Sequence, residues 1–368
     1  MTSSPDHNTI SIMKQAVPVP RSAVSVIPPY HPGKRISGAS KLSSNENPFG
    51  CSPKAKQAIK KALSEVEIYP DGRGTALVQK LAMLHSIDPA QIILGNGSDE
   101  IMSMATASFM EPGYNAVIAT PTFSQYEYST RLFGGEVKKI PLKNGKNDLD
   151  AMLAAIDPDT RMVFVCNPNN PTGTYSSQKE LERFIAQIPA HILLVLDEAY
   201  CEFATAADYP DSLPLLKSYP NLLILRTFSK IHGLAALRLG YGFASPEIVE
   251  LFLRVKQPFN NNSLALAAGQ AALNDTAFVQ KTLNTTHRGM EYLTNQMDRL
   301  GLSYYPSQAN FLCIHTPIPA DEVYDHILSF GITIRSLRSF GMDNSIRVSI
   351  GTMKNLKAFV RGMESVCS

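Results

Sequence analysis

The chain has 368 residues, of which 44% are apolar and 18% charged, and a net charge of +2 at neutral pH. That length exceeds one ordinary domain and predicts two lobes with ample core. The balanced charge and the lack of a Lys/Arg-rich run argue against a nucleic-acid surface. No apolar stretch is long enough to span a bilayer, and five scattered cysteines (Cys51, Cys166, Cys201, Cys313, Cys367) read as reduced thiols.

In chain order, the first twenty residues are polar, carry three prolines and show no period. They read as a loose leader without the charged-then-apolar pattern of a signal peptide, which fits a cytoplasmic protein. A turn-rich arm follows, Pro28-Pro29-Tyr30-His31-Pro32-Gly33. Leu42 to Gly50 is a polar loop containing Asn45, because Pro48 disfavours helix at Asn47. Ser52 caps a helix over Pro53–Val66, with proline at its first position. Tyr69-Pro70-Asp71-Gly72-Arg73-Gly74 is a turn with Tyr69 exposed, and a second helix covers Ala76–His85.

Gln91–Leu94 then reads as a strand, followed by a glycine turn and a helix over Asp99–Phe109. Backbone N–H groups at such a helix start bind anions, and Gly97 beside Ser98 and Asp99 lets a phosphate approach. The pattern is neither a P-loop nor Gly-x-Gly-x-x-Gly, so locally a plain strand-to-helix turn is an equal reading. Asn115–Thr120 is the next strand. Pro121-Thr122-Phe123 opens a helix to about Leu132, which places the Phe123 ring where it could stack on a flat ligand or simply join the core. A strand over Glu136–Leu142 and a helix over Leu149–Ile156 follow.

Arg161–Cys166 is a strand running into Asn167–Gly173, where Asn170 stands between two prolines and offers a directed amide. His191–Leu196 is an apolar strand ending in Asp197-Glu198-Ala199-Tyr200. An aspartate directly after a buried strand is costly unless something positive or donating meets it. Asn221–Leu225 is a further strand. Just past it come Thr227, Ser229 and Lys230, then Arg238. Gly240–Ala244 reads as one more strand, with helices over Leu264–Leu273 and about Phe278–Leu300. Ala309–Ile314, Ile332–Arg335 and Ser345–Ile350 read as strands of a smaller lobe. Arg335 and Arg347 fall within these apolar runs, where a buried guanidinium needs a partner: an internal carboxylate, or a carboxylate or phosphate ligand held bidentately.

Strands alternating with helices predict a mainly parallel α/β sheet, with its polar clusters at the carboxyl ends of strands on one edge. Together these clusters match the needs of an aldehyde cofactor that has a ring nitrogen, a ring hydroxyl and a phosphate. Lys230 can form a Schiff base. Asp197 can keep the ring nitrogen protonated, Asn170 and Tyr200 can meet the ring oxygen, and Gly97-Ser98 with Arg238 can take the phosphate.

The chain resembles the fold-type I pyridoxal-phosphate aminotransferases, in particular the histidinol-phosphate branch of class II. The matching stretches run from Pro29 to Met353 and include Asn45-Glu46-Asn47-Pro48, Tyr69-Pro70-Asp71-Gly72, Gly97 to Glu100, Asn167 to Gly173, Asp197 to Tyr200, Thr227 to Lys230 and Asn344 to Val348. The resemblance implies a large domain over 51–279 with a seven-stranded sheet, and a smaller α+β domain over 280–368. It implies a leader over 1–25 and an arm over 26–50 that joins the small domain. It implies pyridoxal phosphate held by Lys230, with Lys230 also moving the proton, Asp197 on the ring nitrogen, and Asn170 and Tyr200 on the ring oxygen. Ser98, Asp99, Thr227, Ser229 and Arg238 would bind the phosphate, and Tyr69 would reach it from the second subunit of a homodimer. Phe123 matches the ring-stacking position, where many relatives carry tyrosine. Tyr30, Asn45, Arg335 and Arg347 would face the substrate, with Arg347 on a carboxylate and Arg335 on a phosphate. The implied reaction exchanges an amino group between L-histidinol phosphate and 2-oxoglutarate. An aromatic aminotransferase shares these motifs, and a phosphothreonine-type decarboxylase or a non-catalytic cofactor-binding regulator are more distant readings.

Overall fold

The computed structural model describes residues 18–25, 27–29 and 36–367. Seven strands form the central sheet: β1 (Ile92–Gly95), β2 (Asn115–Thr120), β3 (Glu136–Pro141), β4 (Thr160–Cys166), β5 (Leu193–Asp197), β6 (Leu222–Thr227) and β7 (Gly240–Phe243). Their spatial order is β1-β7-β6-β5-β4-β2-β3. All pairings are parallel except those of β7, which runs antiparallel to both β1 and β6. The chain returns from β6 to β7 through residues 228–239 without an α-helix, and so reverses direction rather than crossing over.

The inner strands are apolar on both faces, as expected where helices cover both sides. In β4, Val163 and Val165 join one core layer, while Met162, Phe164 and Cys166 join the other. Each fully buried Leu, Ile or Phe in these layers contributes about 1.5–3 kcal/mol. Helices α1 (Pro53–Ala62), α2 (Thr75–His85), α3 (Ser98–Phe109) and α4 (Gln125–Leu132) come from the first half of the chain. The Ser52 side chain caps α1 by accepting from the Ala55 N–H.

A second, four-stranded antiparallel sheet contains β8 (Tyr304–Tyr305), β9 (Phe311–His315), β10 (Arg335–Ser336) and β11 (Ser345–Ser349), in the order β10-β11-β9-β8. A third core cluster joins Leu42 to residues of this sheet and of the helices Thr276–Arg299, Ala320–Ser329 and Met353–Cys367. No described helix is long and apolar enough to cross a membrane.

Several boundaries differ from the sequence reading, each for a local reason. The first helix stops at Ala62 and tightens into a 3₁₀ turn over Leu63–Glu65. The helix after β2 starts at Gln125, because the preceding turn is tied to the neighbouring loop: Thr122 donates to Asn169 Oδ1 at 2.7 Å and Asn169 donates to the Pro121 carbonyl. The segment Ile332–Arg335 is not one strand. Ile332–Thr333 pairs in parallel with Ser40–Lys41, and the chain then changes partner so that Arg335–Ser336 pairs with β11.

Candidate active site

The carboxyl ends of β1, β4, β5 and β6 open onto one cleft of about 220 Å³. Asn45, Ser98, Asp99, Phe123, Asn170, Asp197, Tyr200, Thr227, Ser229, Lys230, Arg238, Arg335 and Arg347 all line it. Residues far apart in sequence therefore converge where open α/β sheets place their ligands.

Asp197 ends β5 and is 3% exposed. One oxygen, Oδ2, accepts from the Tyr126 hydroxyl at 2.7 Å, and Oδ1 accepts from the Ala199 N–H at 3.0 Å. Burial pushes its pKa up to about 6, against the pull of those two donors. No Lys, Arg or His among the described residues forms an ion pair with it. A buried carboxylate that lacks a cation suits a ligand bearing a cationic ring N–H. Tyr126 was not singled out from sequence, because a tyrosine in an amphipathic helix reads as packing.

Lys230 lies three residues past β6, and its Nζ donates to the Ser44 carbonyl at 3.3 Å. It stands 5.6 Å from the centre of the Tyr200 ring. Burial, and then the positive charge of Arg347, lower its pKa to about 8, so a useful fraction is the neutral, nucleophilic amine near neutral pH. The Tyr200 hydroxyl accepts from Asn45 Nδ2 at 3.0 Å. Asn45 is in turn locked to β11, since its N–H donates to Ser349 Oγ at 2.7 Å.

A second group of lining residues surrounds the start of α3, where backbone N–H groups can bind an anion. Gly97 has φ +82° and delivers the chain into α3 at Ser98. A Cβ at Gly97 would stand 2.5 Å from Arg238 Nη2, and one at Gly240 would stand 2.3 Å from the Ser98 nitrogen. The backbone here is thus packed too closely for side chains, and the Ser98, Thr227 and Ser229 hydroxyls join Arg238 around the helix start. Arg238 donates to Asp99 Oδ2 at 3.1 Å, and this pair is partly open to solvent.

Two guanidinium groups also line the cleft. Arg347 is 6% exposed; it donates to Asn170 Oδ1 and, at 2.9 Å, to the Ser43 carbonyl. Arg335 is half-buried rather than fully buried, donates to Ser339 Oγ at 3.2 Å and lies 5.9 Å from the centre of the Phe340 ring. Arg335 takes no internal carboxylate among the ion pairs of the described residues. Ser43, Ser44, Ser124, Cys166 and Phe340 also line the cleft without having been marked from sequence.

Tyr69 stands apart. It is 78% exposed, stacks on Phe259 with ring centres 4.8 Å apart, and does not line the cleft of its own chain. Tyr30 lies outside the described residues.

The donor set fits the cofactor that the motifs implied: a primary amine, a buried uncompensated carboxylate, an amide beside a phenol, and a helix start ringed by hydroxyls with an arginine. Residues 38–363 match the aminotransferase class I and II family, and the chain belongs to that family. Among relatives, it is 45% identical over 346 residues to the histidinol-phosphate aminotransferase of Geobacillus sp. strain WCH70, covering 92% of this chain and 95% of that protein. It is 47% identical over 335 residues to the enzyme of the same name from Halalkalibacterium halodurans, covering 89% and 91%. The crystal structure of histidinol-phosphate aminotransferase from Sinorhizobium meliloti, in complex with pyridoxal-5'-phosphate, superposes with a TM-score of 0.88 at 27% identity, covering 96% of this chain and 98% of that one.

Proposed function

We infer that this chain is a pyridoxal-phosphate-dependent histidinol-phosphate aminotransferase. It interconverts L-histidinol phosphate and 2-oxoglutarate with imidazole-acetol phosphate and L-glutamate, a step of histidine biosynthesis. The observation that carries this reading is one cleft holding Lys230, Asp197 and two arginines, in a chain about 45% identical to histidinol-phosphate aminotransferases over about 90% of its length.

Bound pyridoxal phosphate supplies an electron sink that stabilises negative charge on the substrate carbon bearing the amino group. The chain's residues supply everything else. Lys230 Nζ would hold the cofactor, and the same amine would move the proton at that carbon as base and then acid. Asp197 would meet the ring nitrogen as an anion. Asn170 and Tyr200 would direct donors at the ring oxygen, and Phe123 would cover a ring face. Ser98, Asp99 through its backbone, Thr227, Ser229 and Arg238 bind the phosphate, which fixes the plane against which substrate is aligned.

Histidinol phosphate has no carboxylate, whereas glutamate has two. One pocket must therefore accept a phosphate in one half-reaction and a dicarboxylate in the other. Arg347 takes the α-carboxylate of glutamate. Arg335 takes the substrate phosphate or the side-chain carboxylate, and Asn45 lines the same cleft.

The reading includes a homodimer with shared sites, in which Tyr69 serves the cleft of the second subunit. Its exposure supports this, as does the run of exposed Leu63, Val66 and Ile68 beside it. It also includes two lobes, 51–279 and 280–368, with the arm 26–50 on the smaller one and 1–25 as an extension. The membership of Leu42 in the core cluster of residues 293–363 supports the placement of the arm. Purified enzyme mixed with L-histidinol phosphate and 2-oxoglutarate should form glutamate in proportion to enzyme; no glutamate from cofactor-loaded protein would remove the assignment.

A further inference from the structure

We propose that Tyr126 is a positioning residue for this chemistry: its hydroxyl holds Asp197 as an anion and aims it at the cofactor's ring nitrogen. The inference rests on the cofactor reading above and concerns a residue that none of the motifs marks.

The geometry is specific. Tyr126 is wholly buried, on the second residue of α4, and its hydroxyl lies 2.7 Å from Asp197 Oδ2. The ring has little freedom. It stacks on Phe164 with centres 5.0 Å apart and planes at 16°, and meets Phe123 edge-on at 5.6 Å and 82°. Phe123 lines the cleft, so one side chain braces both a ring-covering residue and the carboxylate beneath.

A phenol in a dry core must donate its proton somewhere, and the Asp197 carboxylate accepts it at 2.7 Å, with the Cys166 thiol also beside the hydroxyl. The reciprocal need is stronger. Burial favours the protonated acid, and the nearby carboxylates Asp99 and Glu198 push the same way. The Tyr126 hydroxyl and the Ala199 N–H pull toward the anion. Removing one of two donors to a buried carboxylate shifts it toward the neutral acid. A neutral Asp197 no longer stabilises a protonated ring nitrogen. The same bond also fixes direction: with Oδ2 tied to Tyr126 and Oδ1 to Ala199, the carboxylate plane cannot rotate.

The test uses the cofactor-loaded protein and Tyr126→Phe, which deletes one oxygen and keeps the ring. Three quantities are read: the pH midpoint of the absorbance change of the lysine-bound cofactor, the rate at which cofactor is lost to a large excess of a trapping amine, and kcat against KM. The midpoint should rise by roughly half a unit or more, because a ring nitrogen with less positive charge withdraws fewer electrons. Cofactor should be lost roughly tenfold faster, and kcat should fall roughly tenfold with KM moving far less. Tyr126→His keeps a donor on a ring and should recover part of the midpoint shift; it also decides the matter if the phenylalanine variant does not accumulate. An unchanged midpoint and unchanged cofactor loss in Tyr126→Phe, or a histidine variant no better than phenylalanine, would overturn the proposal and leave Tyr126 as packing. If wild-type protein takes up no cofactor, the failure belongs to the functional reading instead.

Discussion

Arg335 and Arg347 are direct partners across the antiparallel ladder between β10 and β11, so two like charges leave adjacent backbone positions toward one cleft. Such a pair is unfavourable unless each charge is otherwise engaged. Arg347 is held by Asn170 and the Ser43 carbonyl, and Arg335 by Ser339 and the face of Phe340. On the proposed reading, an anionic ligand between them would relieve the repulsion, so that one wall could serve both a phosphate and a dicarboxylate. Removing the more exposed arginine should then discriminate between substrates. Arg335→Ala is expected to raise KM for histidinol phosphate roughly 10- to 100-fold, as for the loss of a charge-assisted hydrogen bond, and KM for glutamate by less. Steady-state kinetics with each donor checks this; equal losses would contradict the division of labour.

The depressed pKa of Lys230 sets a pH dependence for cofactor loading. Only the neutral amine attacks the aldehyde, and its fraction grows as pH rises through about 8. Reconstitution of the apoprotein, followed by absorbance, should therefore accelerate from pH 7 and level off above about 8. A rate still climbing steeply at pH 10 would mean an ordinary lysine. Arg347→Met removes a neighbouring positive charge, so it should move the midpoint upward.

Gly97 offers a test of the anion cradle. Alanine there must adopt φ +82° and place its Cβ 2.5 Å from Arg238 Nη2. The backbone strain costs on the order of 1 kcal/mol of stability. The displaced guanidinium should also weaken cofactor binding by roughly tenfold, the loss of one charge-assisted contact. Thermal melting and cofactor titration measure the two effects separately. A variant that melts lower but binds cofactor normally would remove Arg238 from the cradle.

Exposed Tyr69 makes the shared-site arrangement testable. Tyr69→Ala and Lys230→Ala should each be nearly inactive alone. Unfolded together and refolded, they should recover activity, because half of the dimers are then mixed and each mixed dimer contains one intact site, about a quarter of all sites. No recovery would place Tyr69 outside the partner's cleft.

The sheet and most of the site were legible because apolar runs ending in polar clusters mark the carboxyl ends of buried strands. Asp197, Asn170 and Lys230 could each be placed this way, and all three line the cleft. Helix starts with a proline or serine cap, as at Ser52-Pro53, were equally plain. What stayed hidden depends on long-range pairing. The direction of β7 follows from its pairing with β1 and β6. The break between Thr333 and Arg335 follows from a change of strand partner. Tyr126 was invisible because its meaning lies in a hydrogen bond to a residue 71 positions away, and no local pattern separates that from core packing.

The most direct measurement is a stopped-flow titration of the cofactor-loaded enzyme, following conversion of the lysine-bound absorbance band to the amine form of the cofactor. L-histidinol phosphate should drive fast, saturable conversion, with L-phenylalanine and L-tyrosine far slower, and Lys230→Ala should show neither the starting band nor the reaction. Faster conversion by the aromatic amino acids would contradict the assignment to histidinol phosphate, and turnover surviving in Lys230→Ala would contradict the chemistry itself.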